Sequence, residues 1–257
     1  MENLRERLDI LAERYNTPGF FTDDPISFPR RYSDLRDIEI SAFVTSVISW
    51  GRRPMILRNA ERLDALMNHE PYRFVTEGDI DAIGEDNIHR TFFGRHLRYM
   101  LRGLRCIYRR YGSLEGFATA IGAPADEAPA WKIAEAMNAV FDDENRQCSR
   151  PLDGPSRCLP ADAAGSALKR FNMMLRWLVR NDGIVDLGVW SALSPAQLYI
   201  PLDVHSARTA RALGLLQRKA NDRRAVEELT AALRRLRPDD PVVYDFALFG
   251  AGEAGEF

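Results

Sequence analysis

Thirty-two of the 35 basic residues are arginine, and only Lys132, Lys169 and Lys219 are lysine. Arginine can hold phosphate, but it stays protonated and cannot serve as an amine nucleophile. Amine chemistry therefore rests on those three lysines or on the chain start. Lys169 has the most telling context, "AAGSALKRFNMMLRWLVR". Gly165 precedes a helix there, and Lys169 falls within its first turn. A glycine-containing turn entering a helix leaves backbone N–H groups free to hold a phosphate. Phe171, Met174, Leu175 and Leu178 form the apolar stripe of that helix.

A carboxylate stands at a second helix entry, in "YIPLDVHSARTARALGL". Pro201 ends a turn, and the helix is predicted to start at Val204. Asp203 then suits a helix cap, accepting hydrogen bonds from unpaired backbone N–H groups. A functional role needs a partner residue, and Lys169 offers one, 203 − 169 = 34 positions upstream.

The elements that must position the two residues are helical. Strand-length alternating runs are nearly absent, so the fold is predicted to be all-α. Leu4, Leu8 and Leu11 make one face of a first helix, and "NTPGFFTDDPISFPRRY" then breaks the chain with three prolines. "EISAFVTSVISW" is almost continuously apolar and predicts a helix buried on most sides, ended by "GRRP". "MILRNAERLDALMNH", "WKIAEAMNAVF", "RRAVEELTAALRRLRP" and "DDPVVYDFALFGAGE" read as further helices, and residues 142–165 as a long loop. The stretch "RTFFGRHLRYMLRGLRCIYRRYG" carries seven arginines and no acid. Arg95, Arg98, Arg102, Arg105 and Arg109 recur at helical spacing along one face. That face is either a ridge for phosphate or a surface whose acidic partners come from elsewhere in the fold.

Composition narrows the classes. A chain of 257 residues, 46% hydrophobic, can bury a real core. No apolar run approaches membrane-spanning length. The charged N-terminus is unlike a signal peptide, so a cytoplasmic location is expected. Cys106, Cys148 and Cys158 lack metal-ligand spacing, which argues for a reducing compartment and against a zinc or iron–sulfur site.

Taken together, the two helix entries resemble the helix-hairpin-helix DNA glycosylases. Members such as endonuclease III carry a Gly-x-Gly-x-Lys hairpin entering a helix, a proline-containing loop, and an aspartate opening the next helix. "GSALK" (Gly165, Ser166, Ala167, Leu168, Lys169) falls on the hairpin, "SALSPAQLYIP" on the loop, and "PLDVHSARTARALGL" on the aspartate helix. "EISAFVTSVISWGRRP" is similar to the helix that ends in the damaged-base pocket, and "FFGRHLRYMLRGLRCIYRRYG" to the helix before the hairpin. Ala167 replaces the second hairpin glycine, the Lys–Asp separation matches archaeal 8-oxoguanine glycosylases better than endonuclease III, and the four-cysteine iron–sulfur loop is missing. The runs "KRFNMMLRWLVR", "IPLDVH" and "DPVVYDFALFGAGE" look closer still to an uncharacterised bacterial family of similar length.

The resemblance implies a monomeric base-excision-repair glycosylase and AP lyase acting on double-stranded DNA with a damaged base, with oxidised purine as the leaning. It needs no metal and no cofactor. Lys169 and Asp203 would be catalytic. Gly165, Ser166, Ala167, Arg95, Arg98, Arg102 and Arg105 would hold DNA. Trp50, Arg52, Arg53, Trp177 and His205 would serve the base pocket. The implied architecture is two helical lobes around a cleft, one spanning 34–180 and the other 1–33 plus 200–257. The amine and carboxylate are then expected within roughly 8 Å, near enough for one sugar to contact both. The alternatives are a catalytically inactive nucleic-acid-binding protein of the same fold and a helical protein-interaction domain.

Overall fold

The computed structural model describes residues 2–146 and 158–256. Its α-helices are α1 (Glu2–Tyr15), α2 (Leu35–Ile48), α3 (Arg53–Leu66), α4 (Pro71–Glu77), α5 (Gly94–Tyr111), α6 (Leu114–Ala120), α7 (Pro129–Arg146), α8 (Lys169–Val179), α9 (Val204–Ala212), α10 (Arg223–Leu236) and α11 (Tyr244–Glu253). A two-stranded hairpin, β1 (Asn87–His89) and β2 (Phe92–Phe93), is the exception to the all-helical expectation. It is too short to show an alternating run, and Arg90, with φ 53°, turns the chain between its strands. Of the segment expected as a loop, α7 continues through Arg146, while 147–157, including Cys148, lie outside the described residues. No helix among the described residues is long and apolar enough to cross a membrane.

The chain divides into two compact units: Asp23–Ala163, and Met1–Thr22 with Ala164–Phe257. In the first, α2 is buried on nearly every side, as its apolar sequence requires. Its one buried acid, Glu39, accepts hydrogen bonds from the Leu114 and Glu115 amides and from the Tyr108 hydroxyl. The carboxylate thereby caps the start of α6, which removes the cost of burying it unpaired.

The arginine face of α5 is the clearest correction in this unit. Arg98 and Arg102 are buried. Arg98 donates to the Ile83 and Gly84 carbonyls and pairs with Glu85. Arg102 reaches Asp81 and Asn145, and Arg105 reaches the Val75 and Gly78 carbonyls. Arg95 is more exposed, stacked on Phe93 and facing Glu85. These guanidinium groups fasten the segment 75–86 onto α5 instead of forming a ridge for phosphate. Arg98→Ala is accordingly expected to cost about 2–3 kcal/mol, because two carbonyls lose their donor. Urea denaturation would measure it; a loss below about 0.5 kcal/mol would return Arg98 to the surface roles.

In the second unit α11 is the central element, packed against α1 and α9. Two glycines permit that closeness. A Cβ at Gly250 would fall 2.3 Å from the Tyr15 ring, and one at Gly252 would fall 2.7 Å from Thr209 Oγ1. The segment 164–180, read from sequence with the first lobe, belongs here with the C-terminal helices, and 23–33 belongs to the other unit. The reason is charge. Arg176 of α8 and Arg180, which follows the helix, are buried, and their acidic partners, Asp182, Asp186, Asp240 and Asp245, all lie in the C-terminal part of the chain.

Candidate active site

The loop entering α8 is held from both sides. Asn172 donates its side-chain amide to the Ala167 carbonyl, and the Arg223 amide donates to the Gly165 carbonyl. The Leu168 amide bonds Ser166 Oγ. Leu168 itself adopts φ 46°, a left-handed conformation that costs a non-glycine residue about 1 kcal/mol. Burial of its side chain offsets that strain. Lys169 is the first residue of α8, so the turn aims its side chain from the helix start.

The loop leading to Asp203 is gripped by α10. Arg234 donates to the Ala196 and Leu198 carbonyls and stacks on Tyr199, while the Ile200 amide bonds Thr230 Oγ1. Asp203 then caps α9, its Oδ1 accepting from the Ser206 amide at 2.7 Å. Its other oxygen, Oδ2, lies 3.5 Å from Lys169 Nζ. The two residues meet well inside the expected reach. The lysine side chain is 40% exposed and the aspartate side chain 9%, so the amine stands at the surface over a nearly buried carboxylate.

Behind this pair lies a buried ionic network that sequence reasoning missed. Arg176 bonds Asp186 and Asp245; Arg180 bonds Asp182, Asp186 and Asp240. Burial pushes the Asp186 carboxyl up despite both arginines. Burial likewise raises Asp245, to about 6, with Arg176 opposing and Asp203 adding to the shift. Ser206 links the two layers: its amide serves Asp203, and its hydroxyl donates to Asp245 Oδ1 at 3.4 Å. The available signal for Asp245 was an acid inside the apolar helix "VVYDFALFG".

The other site residues scatter. Gly165 is exposed, and Ser166 and Ala167 are half-buried, beside Lys169 in the loop. The residues before them, Cys158–Gly165, are turns and bends, and α6 and α7 separate α5 from this loop, so α5 is not the helix before a hairpin. Trp177 is fully buried and belongs to the core, which removes it from any base pocket. His205 is half-buried, edge-on to Phe249. Trp50, Arg52 and Arg53 lie in the other unit, where Trp50 packs between His89 and Arg90. That unit also holds Glu61, Asp64 and His69 close together, with Arg31 bonded to both carboxylates and Tyr32 to Asp64.

A family model described as "Protein of unknown function (DUF2400)" matches residues 24–254, a span that contains both Lys169 and Asp203. No curated protein and no solved structure matches the chain.

Proposed function

The chain belongs to the DUF2400 family, and we propose that it is a base-excision DNA glycosylase and AP lyase, working on a damaged base in duplex DNA through a Schiff base on Lys169. One observation carries the reading: a surface amine and a nearly buried carboxylate, 34 positions apart, stand 3.5 Å from each other. Cleaving the bond between a base and C1′ develops positive charge on the sugar, which a fixed carboxylate stabilises. Asp203 is such a carboxylate, held by the Ser206 amide so that Oδ2 stays available. Lys169, once neutral, attacks C1′ as the bonding pair leaves with the base. The amine gives up its proton, Asp203 Oδ2 being placed to carry it, and ring opening yields the imine. Loss of a C2′ proton then expels the 3′ phosphate, leaving a nick.

The target base must leave the helical stack, at a cost of a few kcal/mol. An oxidised purine is the substrate class that the resemblance favours. Borohydride reduction across oxidised, deaminated and abasic duplexes tests the reading. A covalent protein–DNA adduct on at least one duplex is expected, and none on any would overturn it. In the same assay Asp203→Asn is expected to slow excision about 100-fold or more, since it removes the charge that meets the transition state. It should cost only about 1 kcal/mol of stability, because asparagine still caps a helix.

The cap itself favours a second reading, in which Asp203 serves α9 alone and the protein binds nucleic acid, or another protein, without catalysis. Salt-dependent duplex binding without any adduct would select a nucleic-acid-binding role; no duplex binding would select protein interaction.

A further inference from the structure

The inner guanidinium groups of α5 are taken up in holding the segment 75–86, so phosphate contacts in that unit need other cations. A group of them surrounds the start of α3. From Trp50 to Ala60 the sequence carries Arg52, Arg53 and Arg58 and no acid. Arg52 is the N-cap of α3, Arg58 lies on its second turn, and Arg90 turns the β1–β2 hairpin. Arg52, Arg58 and Arg90 are exposed, and among the described residues none of the three is bonded to an acid. Exposed arginines elsewhere pair locally, as Arg36 does with Asp34, Arg73 with Glu70 and Arg218 with Asp222.

Arg90 is pinned in place. Asn87 donates its side-chain amide to the Arg90 carbonyl, and buried His89 bridges the Trp50 carbonyl at 2.7 Å and the Asn59 side chain at 2.9 Å. The Arg90 guanidinium then lies over the Trp50 ring, 4.6 Å from its centroid. Gly51 makes room for it: a Cβ there would fall 2.8 Å from Arg90 Nη1 and 3.2 Å from Met55 Cε. Arg90 and Met55 thus border the same residue, and Arg58 follows Met55 by three positions, on the same side of α3. A stacked and anchored guanidinium has less freedom to lose when it meets an anion.

The acids nearby are engaged elsewhere. Glu61 and Asp64 of α3 are bonded by Arg31, Glu85 by Arg98, and Asp79 caps the turn at 80–82. Asp86 lines a hollow together with Asp79 and Arg62, one turn beyond Arg58. The positive face therefore runs from Arg90 and Arg52 to Arg58 and fades at Arg62.

We infer that Arg52, Arg58 and Arg90 form a contact surface for the phosphate backbone of double-stranded DNA, in the unit that does not hold Lys169. Charge complementarity carries the inference: three exposed cations share one face, and a guanidinium fork matches two phosphate oxygens. The choice of duplex DNA rests on the reading proposed above, while the contact itself involves no chemistry at Lys169. Such contacts fix a protein on its duplex and carry no sequence information.

Binding of the full chain to an undamaged duplex would be followed by fluorescence anisotropy against salt. Each phosphate contact contributes about 0.9 to the slope of log K against log salt. The triple variant Arg52→Gln, Arg58→Gln, Arg90→Gln is expected to lose about 2–3 from that slope and to bind roughly 10-fold or more weakly at about 0.1 M salt. Arg109→Gln with Arg110→Gln, at the exposed end of α5, is the charge control and should move the slope by less than about 0.5. If the triple variant does not fold, Arg52→Gln with Arg58→Gln decides, with an expected loss of about 1–2.

An unchanged slope, an equal loss in the control, or a wild type that does not bind duplex would overturn the inference. So would a loss confined to single-stranded DNA, or one confined to polyglutamate, which would give the face to an acidic protein. Borohydride trapping on lesion-bearing duplexes is the independent arm. Slope loss with no trapping on any duplex sinks the glycosylase and keeps the DNA surface. Trapping with a slope that the triple variant leaves intact does the reverse.

Discussion

Lys169→Gln is expected to give no borohydride-trapped adduct on any lesion-bearing duplex, with strand nicking lost as well. Glutamine has no nucleophilic amine, and the imine is the intermediate from which the strand is cut. The remaining lysines are poor substitutes. Lys132 is held by Asp126 and the Gly122 carbonyl in the other unit, and Lys219 is exposed and lies outside the helices. The fold should hardly notice the change. Lysine and glutamine have similar helix propensities, and a half-exposed ion pair is worth about 1 kcal/mol or less. Asp203 keeps its bond from the Ser206 amide in either case. Denaturation midpoint and duplex affinity should therefore stay near wild type while trapping disappears. Trapping that survived in Lys169→Gln would move the nucleophile to another amine and end the proposal as stated.

The second large effect concerns stability. Arg180→Ala should cost about 3–5 kcal/mol at pH 7, since it strips a buried cation from three carboxylates. Asp186 is fully buried between Arg176 and Arg180, and Asp240 and Asp182 lean on the same guanidinium. The pH dependence follows from the direction in which burial moves Asp186. Its carboxyl is raised in the folded state, so folded protein takes up this proton at a higher pH than unfolded protein does. In the window between those two values the folded form binds more protons, and stability from this group rises as pH falls. Removing Arg180 widens that window. The gap between wild type and Arg180→Ala, measured by urea denaturation, should therefore narrow from pH 7 to pH 5. A loss below about 1 kcal/mol at pH 7, or a gap that widens on acidification, would show that the network is not what holds α8.

Charge pairing between distant parts of the chain separates what could be read along it from what could not. Helices were legible wherever apolar residues recurred at helical spacing, as in α2 and α10, and both helix entries were legible from their turn residues. Asp203 as a cap follows from local chemistry alone, because the groups it satisfies lie three residues away. The arginines of α5 were legible as a row but not as a function. Spacing places them on one helix, yet their acceptors at Val75, Gly78, Asp81 and Ile83–Glu85 come from another part of the chain. The same holds for Trp177, whose burial depends on neighbours that no local pattern names.

By itself, then, the sequence determined the helical class, the helix starts, and the scarcity of lysine that makes Lys169 stand out. Those properties depend on neighbours a few residues apart. Only the tertiary structure decided which distant charges meet: Lys169 with Asp203, Arg98 with the segment it fastens, and Asp245 with Arg176 and Ser206. A charge entering a protein interior must find a counter-charge or a donor. The chain supplies many equivalent carboxylates, and packing alone selects among them.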